Sequence, residues 1–427
     1  MTYQQYQPVS LYTHVGTELT SETVVEDKPA GRLELALTVL LIMFFADGLD
    51  VIKPLEKLLA VSSYIIIPAL VARQWKRFLY FGTRDITLLL LVGLALLSFF
   101  WSESPASTIT NGRALVRVTA FGVYLAMRYS IREQLMLLAC SFGLMTVISL
   151  VSGVVQPFRG IRSAAWRGAF PHKNYLARMM VISAIAFLVS WLSPSKYRRL
   201  FLAGFLLSGV LILLSNGKTA LVQIIFLMFF VLPVCHVIKS HYKIRVFVLS
   251  LIVSPALLIS YLFINHFETI AVTVFDKENS LGGRSNLKKV LWDIFFWEKP
   301  WIGHGYFGFW RSQYDRVVSA VSEVDNFRGV PWVPSHAHSG FIDLGLSLGL
   351  LGLLIFGLNF AIAYLASISF LSSSKDPLSF WPFVYLTIFF LSNINVSMTI
   401  LSSKNLMWVL YVATTISLQL WPKKQII

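Results

Sequence analysis

Residues 340–370 read GFIDLGLSLGLLGLLIFGLNFAIAYLASISF, a run of thirty-one positions with a single charge, Asp343. About 17–25 apolar helical residues cross the hydrocarbon of a bilayer, so this run predicts a transmembrane helix. The same signal recurs on both sides of it. Apolar runs near 33–46, 55–72, 85–101, 114–128, 134–155, 175–192, 200–214, 219–238, 245–264, 379–398 and 405–421 bring the expected total to about twelve spans. Only 13% of the 427 residues are charged and 56% are hydrophobic, whereas a soluble domain carries roughly 25% charged residues. The composition excludes one soluble core and predicts an all-α polytopic membrane protein.

Charge orients the spans. The formal net charge is +15, which in a soluble protein would suggest nucleic acid. In a membrane protein it reflects Lys and Arg collecting in cytoplasmic connections, and no nucleic-acid partner is expected. With the N-terminus inside, the second connection holds Arg73, Lys76, Arg77 and Arg84. The fourth holds Arg128 and Arg132, the sixth Lys196, Arg198 and Arg199, and the eighth Lys239, Lys243 and Arg245. The first, third and seventh connections hold one basic residue each. This alternation predicts both termini in the cytoplasm. The expected layout is a cytoplasmic tail over 1–32, nine spans over 33–264, a large periplasmic loop over 265–339, three spans over 340–421 and a short cytoplasmic tail over 422–427. The polar N-terminal stretch has no apolar core of a cleavable signal peptide, and its acids Glu18, Glu22, Glu26 and Asp27 read as a solvated tail.

Two external connections depart from the charge rule. Residues 156–174 carry Arg159, Arg162, Arg167 and Lys173, and residues 265–339 carry Arg284, Lys288, Lys289, Arg311, Arg316 and Arg328. A long loop can translocate regardless of charge. A short one needs another explanation, and an anionic ligand on the outer face supplies it, because guanidinium groups match phosphate geometry. The long loop predicts a helix over about 283–297 with Leu287, Val290, Leu291 and Ile294 on one face. Its tryptophans, Trp292, Trp297, Trp301, Trp310 and Trp332, suit either interfacial anchoring or stacking on sugars.

Several local patterns carry little. Gly303-His304-Gly305-Tyr306-Phe307-Gly308 fits G-x-G-x-x-G but lacks the flanking strand and helix of a dinucleotide site. Asn216-Gly217-Lys218-Thr219 lacks the leading glycine of a phosphate loop, since Ile212 stands there. Lys218 still opens an external helix, where it could meet a phosphate. Cys140 and Cys235 form no disulfide framework. His336 and His338 with Asp343 have metal-ligand residue types without metal-ligand spacing, and no metal or cofactor is expected. Gly345, Gly349 and Gly352 predict a small-residue face for close helix packing. His338 then stands at the outer mouth of a tightly packed helix, where an imidazole can accept a proton near neutral pH.

His338-Ser339, nine residues, then Gly349 and Gly352 resembles the signature of the O-antigen ligase family, which includes exopolysaccharide polymerases. Arg167-Gly168-Ala169-Phe170-Pro171-His172-Lys173-Asn174, Gly282-Gly283-Arg284-Ser285 and Gly303-His304-Gly305-Tyr306 are also similar to that family, in blocks over about 160–360. The first of these resembles the exopolysaccharide polymerase branch. The resemblance implies a GT-C-like inverting glycosyltransferase in the bacterial inner membrane, its site facing the periplasm. It would take an undecaprenyl-diphosphate-linked glycan as donor and a sugar hydroxyl as acceptor, alongside other polysaccharide export proteins as partners. His338 would be the general base, with His336 as second candidate. Arg167, Lys173, Arg284 and Lys218 would hold the pyrophosphate. A ligase using a lipid A core or protein acceptor shares this chemistry. A transporter of lipid-linked sugars is the rival from another class, and Arg117 and Arg178 inside spans four and six are what it would use.

Overall fold

The computed structural model describes residues 30–155, 161–162, 165–240, 287–325, 336–395 and 399–424. The span expected near 245–264, the N-terminal tail, Arg284, Arg328 and Trp332 lie outside these residues. The chain is an all-α polytopic membrane protein. Among the described residues, six helices are long and apolar enough to cross a membrane, or seven if one bent pair counts as a single span.

The helices lie where apolar run length put them, in chain order. They are α1 (Arg32–Phe45), α2 (Lys53–Ala72), α3 (Trp75–Gly82), α4 (Ile86–Leu97), α5 (Pro105–Arg128), α6 (Ile131–Val155), α7 (Lys173–Leu192) and α8 (Arg198–Leu214). After them come α9 (Lys218–Phe226), a π-helical turn Leu227–Val231, and α10 (Leu232–Ser240). The long connection contributes a π turn Leu291–Phe296, α11 (Phe309–Ser312) and α12 (Tyr314–Asp325). The last three helices are α13 (Gly340–Ser373), α14 (Phe380–Asn395) and α15 (Leu406–Lys424). Run length alone does not predict two features. The amphipathic α3 precedes α4 at a bend of 94°, and α5 starts nine residues before the apolar run, at Pro105, because proline is well placed in a first helical turn. The 156–174 connection carries a small antiparallel hairpin, β1 (Ile161–Arg162) with β2 (Ala165–Trp166).

Lipid tails are as apolar as leucine, so helices in a bilayer associate by close packing and polar contacts. The sequence supplies both. Gly204 of α8 sits under the Phe187 ring of α7, where a Cβ would come within 2.6 Å, and Ser183 and Ser208 join the same two helices through hydroxyls 2.8 Å apart. Gly122 of α5 lies 2.7 Å, by the same measure, from Val412 of α15. Asn359 of α13 donates to Asp85 at the start of α4 (2.9 Å) and accepts from Tyr411 of α15 (2.5 Å), tying three helices through one buried amide. Outward faces are apolar: Val61, Ile65, Phe100, Val154 and Phe229 are each more than two-thirds exposed, as lipid contact requires. Arg117 is held within the bundle. It donates to the Ala60 carbonyl (3.1 Å) and Ser63 Oγ (3.0 Å) and lies over the Tyr64 ring, and Arg178 lies over Tyr175.

The connections form two opposite ends. At one, the Asp50 amide meets the Ala169 carbonyl (3.1 Å), Lys404 pairs with Asp47 (3.2 Å), and the Tyr306 hydroxyl meets the Leu401 carbonyl (2.6 Å). At the other, Arg128 pairs with Glu34 (2.7 Å), Arg132 with Asp376 (2.5 Å), and Lys239 donates to the Lys375 carbonyl (2.5 Å). Connections that alternate along the sequence therefore meet in space at alternate ends.

The long connection corrects one helix assignment. Leu287, Val290 and Leu291 are buried as expected, but Ile294 is exposed. Residues 291–296 form a π turn, which is wider than an α turn, so the 3.6-residue period fails there. Phe295 and Phe296 are buried in place of Ile294.

Candidate functional site

The histidine turn sits at the start of α13. Ser339 is the residue before the helix, and its Oγ donates to the Asn393 carbonyl at the end of α14 (3.3 Å). Gly340 lies so close to the Asn393 side chain that any Cβ would overlap it. Asp343 stands one turn into the helix, where a carboxylate suits the helix dipole. Its Oδ1 accepts from the Ala337 amide (3.1 Å) and from the Trp310 indole N–H (2.8 Å). Ala337 is fully buried, and His336 and His338, on either side of it, are half-buried with ring centroids 4.4 Å apart. His338 has φ +53°. A non-glycine residue in this left-handed region costs of order 1–3 kcal/mol, a strain typical of sites held for function.

Three turns further on, α13 is broken at Gly349 (φ +63°). The Leu346 and Ser347 carbonyls, which a continuous helix would pair with Leu350 and Leu351, instead accept from the His304 amide (2.8 Å) and the Gly305 amide (3.0 Å). The Leu350 and Leu351 amides donate to the Pro300 (2.7 Å) and Trp301 (3.1 Å) carbonyls. The Pro300–Gly305 segment thus threads into the break and satisfies both sides, which a span requires because lipid offers no hydrogen bonds. Gly303 (φ +66°) and Gly305 (φ +90°) let this segment approach. This corrects the small-residue face: the period is interrupted at Gly349, so Gly345, Gly349 and Gly352 do not line one face. Gly345 packs against Phe296, while Gly349 abuts the Trp301 backbone.

His304 belongs to a glycine-rich pattern that carries no dinucleotide site, yet the structure places it at the centre of a polar cluster. It is 1% exposed. Its Nδ1 lies 2.7 Å from Glu103 Oε1 and its Nε2 3.1 Å from the Phe295 carbonyl. Glu103 also accepts from Lys299 (2.7 Å), Ser312 (2.6 Å) and Gln313 (2.7 Å). Burial alone would raise the Glu103 pKa, but these hydrogen bonds outweigh it and hold the carboxyl below the ordinary range. The cluster fastens the threaded segment to the α4–α5 connection.

The other expected residues come from separate elements. Arg167 lies in the tight turn after β2, its guanidinium 3.4 Å from the Pro171 carbonyl. Lys173 is the first residue of α7 and Lys218 the first of α9. Gly217 packs against Ala177, so the starts of α7 and α9 are neighbours. Gln223 of α9 reaches Ser392 of α14 (3.3 Å), one residue before the Asn393 that braces the histidine turn. These residues therefore share the histidine end of the bundle. A cavity of about 40 Å³ beside the turn, lined by Tyr306, Trp310, Asp343 and Ser402, is far below the roughly 300 Å³ of a ligand pocket. A larger one of about 250 Å³ lies at the opposite end, beside Arg132 and Asp376. Neither of these cavities has both the dimensions and the position of a ligand pocket at the histidine turn. Among the described residues no group of three or more His, Cys, Asp or Glu could hold a metal ion.

Residues 203–357 match the family model described as O-Antigen ligase. This stretch is similar to the O-antigen ligase and polymerase family. The matched stretch runs from within α8 to just past the break in α13, and it contains Lys218, His304, the histidine turn and both glycines of the His-x₁₀-Gly-x₂-Gly pattern. Arg167 and Lys173 fall before it. No curated protein matches the chain. Function of the O-antigen ligase and polymerase type follows for this membrane protein in general terms.

Proposed function

We propose that the chain is an inverting membrane glycosyltransferase, active at the periplasmic face of the bacterial inner membrane. It would polymerise exopolysaccharide or O-antigen repeat units carried on undecaprenyl diphosphate. The observation that carries this reading is the O-antigen ligase match, which takes in a strained and braced histidine turn at the mouth of a broken helix.

In this reading His338 removes the proton from the acceptor hydroxyl. The oxygen attacks the anomeric carbon of the donor sugar from the face opposite the diphosphate, and the C–O bond to the lipid diphosphate breaks with inversion. Charge that develops on the leaving diphosphate needs preorganised cations, and Arg167, Lys173, Arg284 and Lys218 supply them. Lys173 and Lys218 each begin a helix, so the dipoles of α7 and α9 add to their charge. Twelve spans and a GT-C-like arrangement are part of the same proposal. Arg117 donates to the Ala60 carbonyl and Ser63 Oγ, and Arg117 and Arg178 both lie over tyrosine rings, contacts that favour a packing role for them over transport.

The test is complementation of a deletion strain by His338→Ala, Arg284→Ala and Arg167→Ala, with membrane levels verified. The expected result is loss of long surface glycan and accumulation of single lipid-linked repeats. Accumulation of fully polymerised glycan on lipid would make the chain a ligase. Wild-type glycan from all three variants would remove the proposed site.

A further inference from the structure

We infer that Asp343 is the positioning residue of the histidine turn, acting through the two hydrogen bonds that its Oδ1 accepts. The inference rests on the reading of His338 as the base. Three observations point to it. The backbone around His338 is held in a left-handed conformation that an unrestrained turn would relax. The peptide between the two histidines donates its Ala337 N–H to Asp343 Oδ1, on the first turn of the helix that the histidines precede. The same oxygen receives the Trp310 N–H from the long connection. One carboxylate oxygen thus fixes the imidazole turn, α13 and the external loop relative to one another. Asn393 braces the turn from the other side through Ser339 and Gly340, so the turn is clamped between α13 and α14. Both bonds use one oxygen as acceptor, and an amide oxygen can take the same two bonds.

The experiment compares Asp343→Ala, Asp343→Asn and Trp310→Phe in the full chain. One readout is long-glycan output in the deletion strain. The other is the rate at which diethyl pyrocarbonate modifies His338 in isolated membranes, read by mass spectrometry. The second readout does not depend on catalysis, so it stands even if His338→Ala retains activity and the proposed mechanism fails. Asp343→Ala is expected to lower output about 10²-fold, the scale of a misplaced catalytic group, and Asp343→Asn to stay within about threefold of wild type. The modification rate should rise in Asp343→Ala and Trp310→Phe and stay at the wild-type value in Asp343→Asn. If Asp343→Ala does not reach the membrane, Trp310→Phe and Asp343→Asn carry the test by the same modification readout. Unchanged modification in the folded variants that lose a bond overturns the inference. So does an Asp343→Asn variant as defective as Asp343→Ala or Trp310→Phe, because the charge would then be what matters.

Discussion

Glu103 accepts four hydrogen bonds on two oxygens, from Lys299, His304, Ser312 and Gln313. The His304 ring that meets it through Nδ1 faces the Phe295 carbonyl at Nε2 as well. Removing the carboxylate in Glu103→Gln should cost about 1.5–3 kcal/mol, the range for hydrogen bonds to a charged group. A lowered midpoint of thermal unfolding in detergent at neutral pH would show it. The sign with pH follows from the lowered folded pKa of Glu103. Its stabilisation is fully present above the unfolded carboxylate value of about 4.3 and is lost as pH falls below it, so the gap between wild type and variant should close in acid. A gap that widens in acid would contradict this. None of it was legible in the sequence. Glu103 and His304 are 201 positions apart, and a lone acid in a short connection carries no local mark of its partner. His338 was legible, because its spacing to Gly349 and Gly352 is a local pattern, but the Asp343 bond to Ala337 was not, because an acid in a first helical turn ordinarily needs no further explanation.

The break in α13 sets the cost of changes along that helix. At Gly349 any side chain would overlap the Trp301 backbone and would also sit at φ +63°. Gly349→Ala should therefore destabilise by more than the 1–3 kcal/mol or so of backbone strain alone, and limited proteolysis should then cut near Pro300–Gly305. Gly357, eight residues on, faces open space, where an added Cβ would meet no atom within 4 Å. Gly357→Ala should leave the unfolding midpoint unchanged or raise it, by about 0.5–1 kcal/mol at most, since alanine costs less than glycine inside a helix. Equal losses at the two sites would show that α13 is not broken as described. Most helices could be read from the sequence because hydrocarbon thickness imposes run length directly. The break could not, because Gly349 lies in an apolar run whose composition is the same for a continuous helix and for one opened by a segment from elsewhere.

Across the whole molecule, the two sets of end contacts predict which connections share a side of the membrane. With Cys140 and Cys235 replaced, Ser319→Cys on α12 should react with a membrane-impermeant maleimide in spheroplasts. Ser130→Cys, between α5 and α6, should react only after permeabilisation. Labelling of both from outside would overturn the antiparallel order. The Lys and Arg alternation makes the same expectation from sequence alone, since it depends on each connection separately and needs no tertiary contact. The threaded helix adds a constraint on assembly. A span normally enters the bilayer with its own backbone ladder complete. In α13 two rungs are replaced by four bonds to residues made 42 to 50 positions earlier, so insertion and completion are separate events. The long connection has to wait for α13 to arrive before it can close the ladder. Until then the amides of Leu350 and Leu351 and the carbonyls of Leu346 and Ser347 lack the partners that complete the folded ladder, so docking of Pro300–Gly305 is a distinct late step of folding.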